Sequence, residues 1–410
     1  MPKIPEIALA KRLYFSQRTD KRSSRPAVRV ALAGMVVGVM VMILTICVFV
    51  GFKQTVTDKV AGFDAHIQVV NYQINDSYDL EPIEVSDSLL ACFRNYDHVI
   101  SASPFITKPG ILKTDSAFHG FVLKGIEYWD FFRSNLTEGQ LPQAPQEVLI
   151  STGVARQLQL NTGDAVLSYF IDDKDVRARK FIISGIYNTG FAQMDELFVL
   201  TPIETTQKLQ QLDDDMYSGV DIRVDNLAYL EQVYDDIYFA TVNHLDERSF
   251  AQYFVQNLYE KNPTVFMWLD LLDMNVIIII VLMMLVAGFT IVSGLIILIL
   301  EGVQFIGTMK ALGADNGFIR RIFLTQSAML IARGVVWGNI LGLSLAAAQY
   351  FGHFIPLDAA AYYVDTVPVV FPWVWLIVLN LLTILLSLMV LLLPSMIISK
   401  ISPAKVMYFE

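Results

Sequence analysis

The sequence predicts an α-helical integral membrane protein with four transmembrane helices and a large α+β extracytoplasmic domain between the first and the second. Three observations predict it. Of the 410 residues, 54% are hydrophobic and 17% charged, with a mean hydropathy of +0.48, which is too apolar for a soluble chain of this length. The apolar residues gather in four long runs almost free of charge. The segment 53–273 holds 33 Asp and Glu against 16 Lys and Arg, while the leader, the loop 301–321 and the tail are each net positive.

Taken in order, residues 1–29 carry Lys3, Lys11, Arg12, Arg18, Lys21, Arg22, Arg25 and Arg29 against Glu6 and Asp20. Basic flanks stay on the cytoplasmic side, so this leader is expected inside. The first run, Val30 to Phe52, has 23 residues. At 1.5 Å rise it measures about 35 Å and covers a hydrocarbon core of roughly 30 Å. It is too long for a signal peptide and no small-x-small site follows it, so it is expected to remain as an anchor. The acidic segment 53–273 is then outside. The second run, 274–300, returns the chain to a cytoplasmic loop, 301–321. The third span, 322–355, contains Arg333, 12 residues after Arg321. An intramembrane charge is by default a functional candidate, but at this position Arg333 reads better as a side chain that snorkels near the interface. A short external loop, 356–372, leads to the fourth run, 373–398, and a cytoplasmic tail, 399–410. An even number of spans puts both termini inside.

Within 53–273, alternation in Ala65–Val70, Ile106–Lys113, Gly120–Ile126, Ala165–Ile171 and Lys180–Ile186 predicts half-buried strands, with turns at Thr114-Asp115-Ser116 and Asn161-Thr162-Gly163-Asp164. Helical spacing appears in Val154–Leu160, Glu204–Leu212 and Leu227–Tyr238. It appears again from Arg248 onward through Phe250, Tyr253, Phe254 and Leu258. Asn262-Pro263 breaks that pattern, after which one helix is expected to run through to Leu300.

Several chemistries are absent from the sequence. A net charge of −10 offers no basic surface for nucleic acid. Cys47 and Cys92 make no disulfide framework, and Cys47 counts as a small hydrophobe. There is no Gly-x-x-x-x-Gly-Lys-Ser/Thr phosphate loop, no His-Glu-x-x-His, no Cys-x-x-Cys and no Gly-x-Ser-x-Gly, and His66, His98, His119, His244 and His353 are scattered. No catalytic or metal-binding residue is assigned. Asp213-Asp214-Asp215 and the group Asp172, Asp173, Asp175 read as solvated turns, and Asn135-Leu136-Thr137 as a chance sequon. Gly34 and Gly38, and Gly334, Gly338 and Gly342, lie four apart and mark faces where helices approach closely.

The loop 301–321 has helical apolar spacing at Ile306, Met309 and Leu312, a break at Gly313, and a second turn with Phe318 and Ile319. A short amphipathic helix of this kind can enter a groove on a partner. In the spans, Met40, Leu44, Met283 and Met284 form an adaptable apolar set.

Several stretches resemble the MacB/FtsX-like permease superfamily, and within it the lipoprotein-releasing, LolC/LolE-like branch. Ala8 to Tyr14, Ala33-Gly34-Met35-Val36-Val37-Gly38-Val39 and Val50-Gly51-Phe52 resemble the first span of that branch. Phe181-Ile182-Ile183-Ser184-Gly185-Ile186-Tyr187-Asn188-Thr189-Gly190 with Asp195 resembles its external strand and turn. Glu301 with Ile306-Gly307-Thr308-Met309-Lys310-Ala311-Leu312-Gly313-Ala314 and Phe318-Ile319 resembles the superfamily's cytoplasmic loop, and Ile401 to Met407 with Glu410 its ending. The resemblance implies a non-catalytic permease of a bacterial inner membrane, coupled through that loop to a separate ABC ATPase that holds ATP and Mg. It implies a second permease chain, identical or related, a lipoprotein substrate and a periplasmic carrier, and it makes Met40, Leu44, Met283 and Met284 the expected cavity for acyl chains. The stretch Phe170–Arg179 is short, charged and without proline, unlike the family's carrier-docking hook, which leaves such a hook elsewhere or on a second permease. The alternatives are a MacB-like exporter of another amphiphile and an FtsX-like regulator that switches a cell-wall hydrolase and transports nothing.

Overall fold

The computed structural model describes residues 25–72, 78–115, 117–171, 176–243 and 253–395. The expectations placed on the leader before residue 25, on Ser116, on Asp172, Asp173 and Asp175, on Phe250 and on the tail 399–410 lie outside the described residues.

In chain order, α1 (Arg25–Asp64) is followed by β1 (Ile67–Asn71), β2 (Ile83–Glu84), α2 (Asp87–Arg94), β3 (Val99–Lys113) and β4 (Phe118–Ile126). Then come α3 (Asp130–Ser134), β5 (Leu136–Gly139), β6 (Glu147–Ser151), α4 (Thr152–Leu158), β7 (Ala165–Ile171) and β8 (Val176–Tyr187). Next are α5 (Ala192–Leu197), β9 (Phe198–Pro202), α6 (Ile203–Gln210), β10 (Met216–Tyr217), β11 (Gly219–Val224), α7 (Leu230–Asn243) and β12 (Tyr253–Asn257). The chain continues with α8 (Leu258–Lys261), α9 (Pro263–Glu301), α10 (Val303–Ala311), α11 (Asn316–Gly352), α12 (Ala359–Tyr362) and α13 (Trp373–Ser395). Its described residues divide into two compact units, one within 25–53, 269–355 and 367–395, the other within 54–268 and 356–366.

In the first unit, α1, α9, α11 and α13 are each long and apolar enough to cross a membrane. Their inward faces form one core, with Met35, Val39 and Ile43 of α1, Ala287 and Ile291 of α9, Ile331 and Val335 of α11, and Leu376 and Leu379 of α13. Their outward faces keep Ile278, Leu282, Phe289, Trp337, Trp375 and Leu381 exposed, the composition of helices solvated by lipid or by another chain. The third helix ends at Gly352, three residues short of the expected span, because His353 takes the left-handed cap (φ 47°).

The second unit is built on a mixed sheet in the order β12-β1-β11-β3-β4-β9-β6-β8-β5, with β7 pairing both β3 and β8. β4–β9 and β6–β8 are parallel pairs and the rest are antiparallel. α2 and α7 pack on one end of the sheet around Phe93, Val220, Ile222 and Val233. α4 packs on the other end around Leu123, Val148, Ile150 and Ile183. The expected strands are all present, and of the unexpected ones β6, β9 and β11 lie between them in the sheet. These are short runs buried at nearly every position, so they carry no alternation to read. One expectation is corrected. Tyr253–Asn257 is not helical: it is β12, held in register against all five residues of β1. The helix then starts afresh at Asn257, whose side chain forms a capping box with Glu260, and Pro263 opens α9 at the position where a missing N–H costs nothing.

Candidate functional site

The loop 301–321 folds as an elbow. α10 closes in a Schellman turn: Gly313, at φ +87°, donates its N–H to the Lys310 carbonyl at 3.0 Å, and Ala314 donates to Met309 at 2.9 Å. Two residues on, Asp315 caps α11 by accepting from the Gly317 N–H at 2.9 Å. The residues expected to couple to an ATPase divide here into two sets. Ile306 and Ile319 are fully buried in the core of the helices, and Met309, Ala314 and Phe318 pack against them. Leu312 is 76% exposed, with Ala311, Gly313 and Glu301 also exposed and Lys310 half-buried. One set fixes the elbow to the membrane helices, and the other presents an apolar tip.

The expected packing glycines meet partners on two faces of α1. A side chain added at Gly34 would lie 2.7 Å from Thr290, while one at Gly38 would rest 3.6 Å from Ala287, so this face of α1 lies against α9 running the opposite way. Gly334, Gly338 and Gly342 of α11 receive Met35, Val39 and Ile43 of α1, with both helices running the same way; a Cβ at Gly338 would lie 2.6 Å from that of Val39. Of the residues assigned to an acyl-chain cavity, Met284 is buried in the core, Leu44 and Met283 pack against it, and Met40 is half-buried. Arg333 is exposed.

Sequence reasoning missed an amide pair in the spans. Asn339 of α11 and Asn380 of α13 exchange hydrogen bonds at 2.7 and 3.0 Å, and each also donates to the carbonyl one turn back, Val335 and Leu376. All four amide groups are satisfied, as an apolar surround demands. The signal was available, since one asparagine stands in each of two long runs without Asp, Glu, Lys or Arg, 334–355 and 373–398.

A second missed feature lies in the external unit, where α1 ends and α9 begins. The last carbonyls of α1 are capped by cations from the sheet: Arg223 donates to Ala61 at 2.7 Å and Gly62 at 3.1 Å, and Lys124 to Phe63 at 2.5 Å. Lys124 also pairs with Asp221 at 3.0 Å, and Gln68 donates to the other Asp221 oxygen at 2.5 Å. Lys261 reaches both Gln68 Oε1 and Asp64 at 2.7 Å, and Asn262 donates to Asp64 at 3.2 Å. Asp64, Lys124 and Asp221 are more than nine-tenths buried. Burial pushes the Lys124 ammonium below its usual range, against the pull of Asp221 and Asp64. The final turn of α1 and the residues just before α9 are thus knotted into one ionic network, beside a cage of Phe131, Phe132, Tyr187, Phe191 and Phe198 around Phe63.

Among the described residues, no group of three His, Cys, Asp or Glu is placed to hold a metal ion. The described residues form an elbow, a tightly packed helix seam and a buried joint.

Known proteins share these elements of sequence to different extents. Residues 30–237 match the model of the MacB-like periplasmic core domain, and 277–403 that of the FtsX-like permease C-terminal region. The chain is 22% identical to the lipoprotein-releasing system transmembrane protein LolC of Neisseria meningitidis serogroup B, over 83% of each chain. It is 23% identical to LolE of Haemophilus influenzae, over 91% of this chain and 92% of that one. The solved periplasmic region of MacB from Actinobacillus actinomycetemcomitans aligns with 50% of this chain and 95% of its own at 16% identity and a TM-score of 0.34. With the periplasmic core model alone spanning half of its residues, the chain belongs to the MacB/FtsX-like family of ABC transporter permeases.

Proposed function

We propose that this chain is the permease subunit of an ABC transporter that extracts lipoproteins from the inner membrane for delivery to the outer membrane, driven by a separate ATPase. The observation that carries the reading is that the lipoprotein-releasing relatives align over 83% and 91% of this chain, more than either the spans or the external domain alone could supply. In this reading both termini are cytoplasmic and the domain between the first and second spans is periplasmic, as the charge distribution favours. ATP and Mg belong to the partner, since the chain has no phosphate loop. The exposed Leu312 tip enters the ATPase, α9 carries its displacement as a single helix, and the joint at Asp64 and Lys261 passes it into the domain. A second permease chain, identical or related, completes the transporter.

The test is depletion of the protein in its own host, followed by fractionation of labelled lipoproteins. Accumulation in the inner membrane is the expected outcome. Normal sorting in cells with no second copy would reject lipoprotein transport and favour a hydrolase-switching role.

A further inference from the structure

The segment Pro356–Thr366, which joins the third and fourth spans, belongs to the external unit. It closes on itself through the Pro356–Thr366 bridge and the bond from Leu357 N–H to the Asp365 carbonyl, 2.8 Å. At its tip Tyr363 is held in the left-handed region, φ +62°, a conformation a tyrosine keeps only when its surroundings impose it. Those surroundings come from three other parts of the unit. The Tyr363 ring stands edge-on to Phe191, with centroids 5.1 Å apart, and to Trp268 of α9, 5.4 Å apart. Lys59 of α1 donates to the Tyr363 carbonyl at 3.4 Å. Asp365 lies over Gly190, where any side chain would strike its carboxylate and the Lys59 ammonium. The turn beneath is itself fixed, because Asp195 accepts from both the N–H and the hydroxyl of Thr189, at 3.1 and 2.7 Å.

We propose that 356–366 is a clasp that ties the third and fourth spans to the periplasmic domain, with Tyr363 as the positioning residue that couples those spans to the domain during ATP-driven release. The inference rests on the permease reading above. A polar linker would need none of these features: a buried Val364, a strained tyrosine in an aromatic slot, and a glycine kept bare beneath a carboxylate. The clasp also gives the domain a connection to the membrane helices besides α1 and α9, so an ATP-driven shift need not pass through those two alone.

The experiment uses the full chain with its ATPase and partner permease in proteoliposomes, comparing wild type, Tyr363→Ala and Tyr363→Phe. ATP turnover, release of a labelled triacylated lipoprotein, and hydrogen exchange of 356–366 and of the turn 189–191 are measured on each. Tyr363→Ala should keep basal ATP turnover, slow release by about tenfold, a usual size for a coupling energy, and raise exchange in both segments together. Tyr363→Phe, which keeps both ring contacts, should match wild type. The clasp is overturned if Tyr363→Ala releases normally, if exchange rises in one segment alone, or if Tyr363→Phe fails like Tyr363→Ala. A wild-type complex that turns over ATP but releases no lipoprotein counts against the lipoprotein reading, and the exchange data then still decide the clasp.

Discussion

Lys124→Met tests the joint at its most buried point. Methionine nearly matches the lysine stem in volume, so the change removes the ammonium without opening a cavity. At 3.0 Å from Asp221 the lost attraction is roughly 5 kcal/mol for an effective dielectric near 20. Desolvation of both ions offsets most of that gain while the pair is intact, but the substitution would leave Asp221 buried with the Gln68 amide as its one remaining side-chain donor among the described residues. Breaking one side of such a pair costs about 3–5 kcal/mol, and the Phe63 carbonyl loses a cap worth about 1 kcal/mol more. For a unit of this size the melting temperature should fall by about 10 °C. The assay is thermal unfolding of the full chain in detergent, followed by the sheet signal in circular dichroism. Combining Lys124→Met with Asp221→Asn removes the orphaned charge and should recover about 2 kcal/mol. A single variant within 1 kcal/mol of wild type, or a double variant whose loss is the sum of the two singles, would refute the electrostatic account of the joint.

Three more outcomes follow from the same structure. Leu312→Asp replaces an exposed apolar tip with a charge, so the chain should insert and melt normally while co-purification of the ATPase is lost; an unchanged yield would place docking elsewhere. Gly338→Val drives a side chain into Val39 and the Val36 carbonyl and should cost about 1–3 kcal/mol, whereas Gly38→Ala meets Ala287 at ordinary contact distance and should be tolerated; equal effects would deny the seam. Burial raises the Asp195 carboxyl to about 6, with Thr189 and Lys59 opposing and Asp365 reinforcing, so the folded domain holds this proton more tightly than the unfolded chain. Stability should therefore fall as pH rises from about 4 to above 6, by up to about 3 kcal/mol. Asp195→Asn should remove that slope, gaining over wild type at pH 7.5 and little at pH 4.5, and an unchanged slope would assign it to other groups.

The spans were legible because a bilayer admits little besides long uncharged helices, and Val30–Phe52 or Trp373 onward satisfy that condition by local sequence alone. The elbow was legible for a similar reason, since Gly313 and Asp315 are local stop and start signals. β6, β9 and β11 were hidden because strands buried on both faces lose the period that identifies a strand. Tyr253–Asn257 was misread because its aromatic spacing fits a helix as well as a strand, and only β1, some 185 residues earlier, decides between them. The joint was invisible for the same cause in stronger form: Asp64, Lys124, Asp221 and Lys261 are ordinary surface residues in the sequence, and only the packing of two helix ends on the folded sheet makes them neighbours.

The seam between α1 and α11 has a further property that lies in its spacing. Met35, Val39 and Ile43 are pegs four residues apart, and Gly334, Gly338 and Gly342 are notches four residues apart, followed at the same interval by the small, buried Ala346. Slid along the axis by a full repeat, about 6 Å, the three pegs would meet Gly338, Gly342 and Ala346. Slid by half that distance, the pegs would stand midway between notches and fill none of them. The first and third spans therefore resist gradual creep and favour discrete seats, so that a force too weak to lift the pegs leaves the pair where it stands and a sufficient one moves it by a whole step.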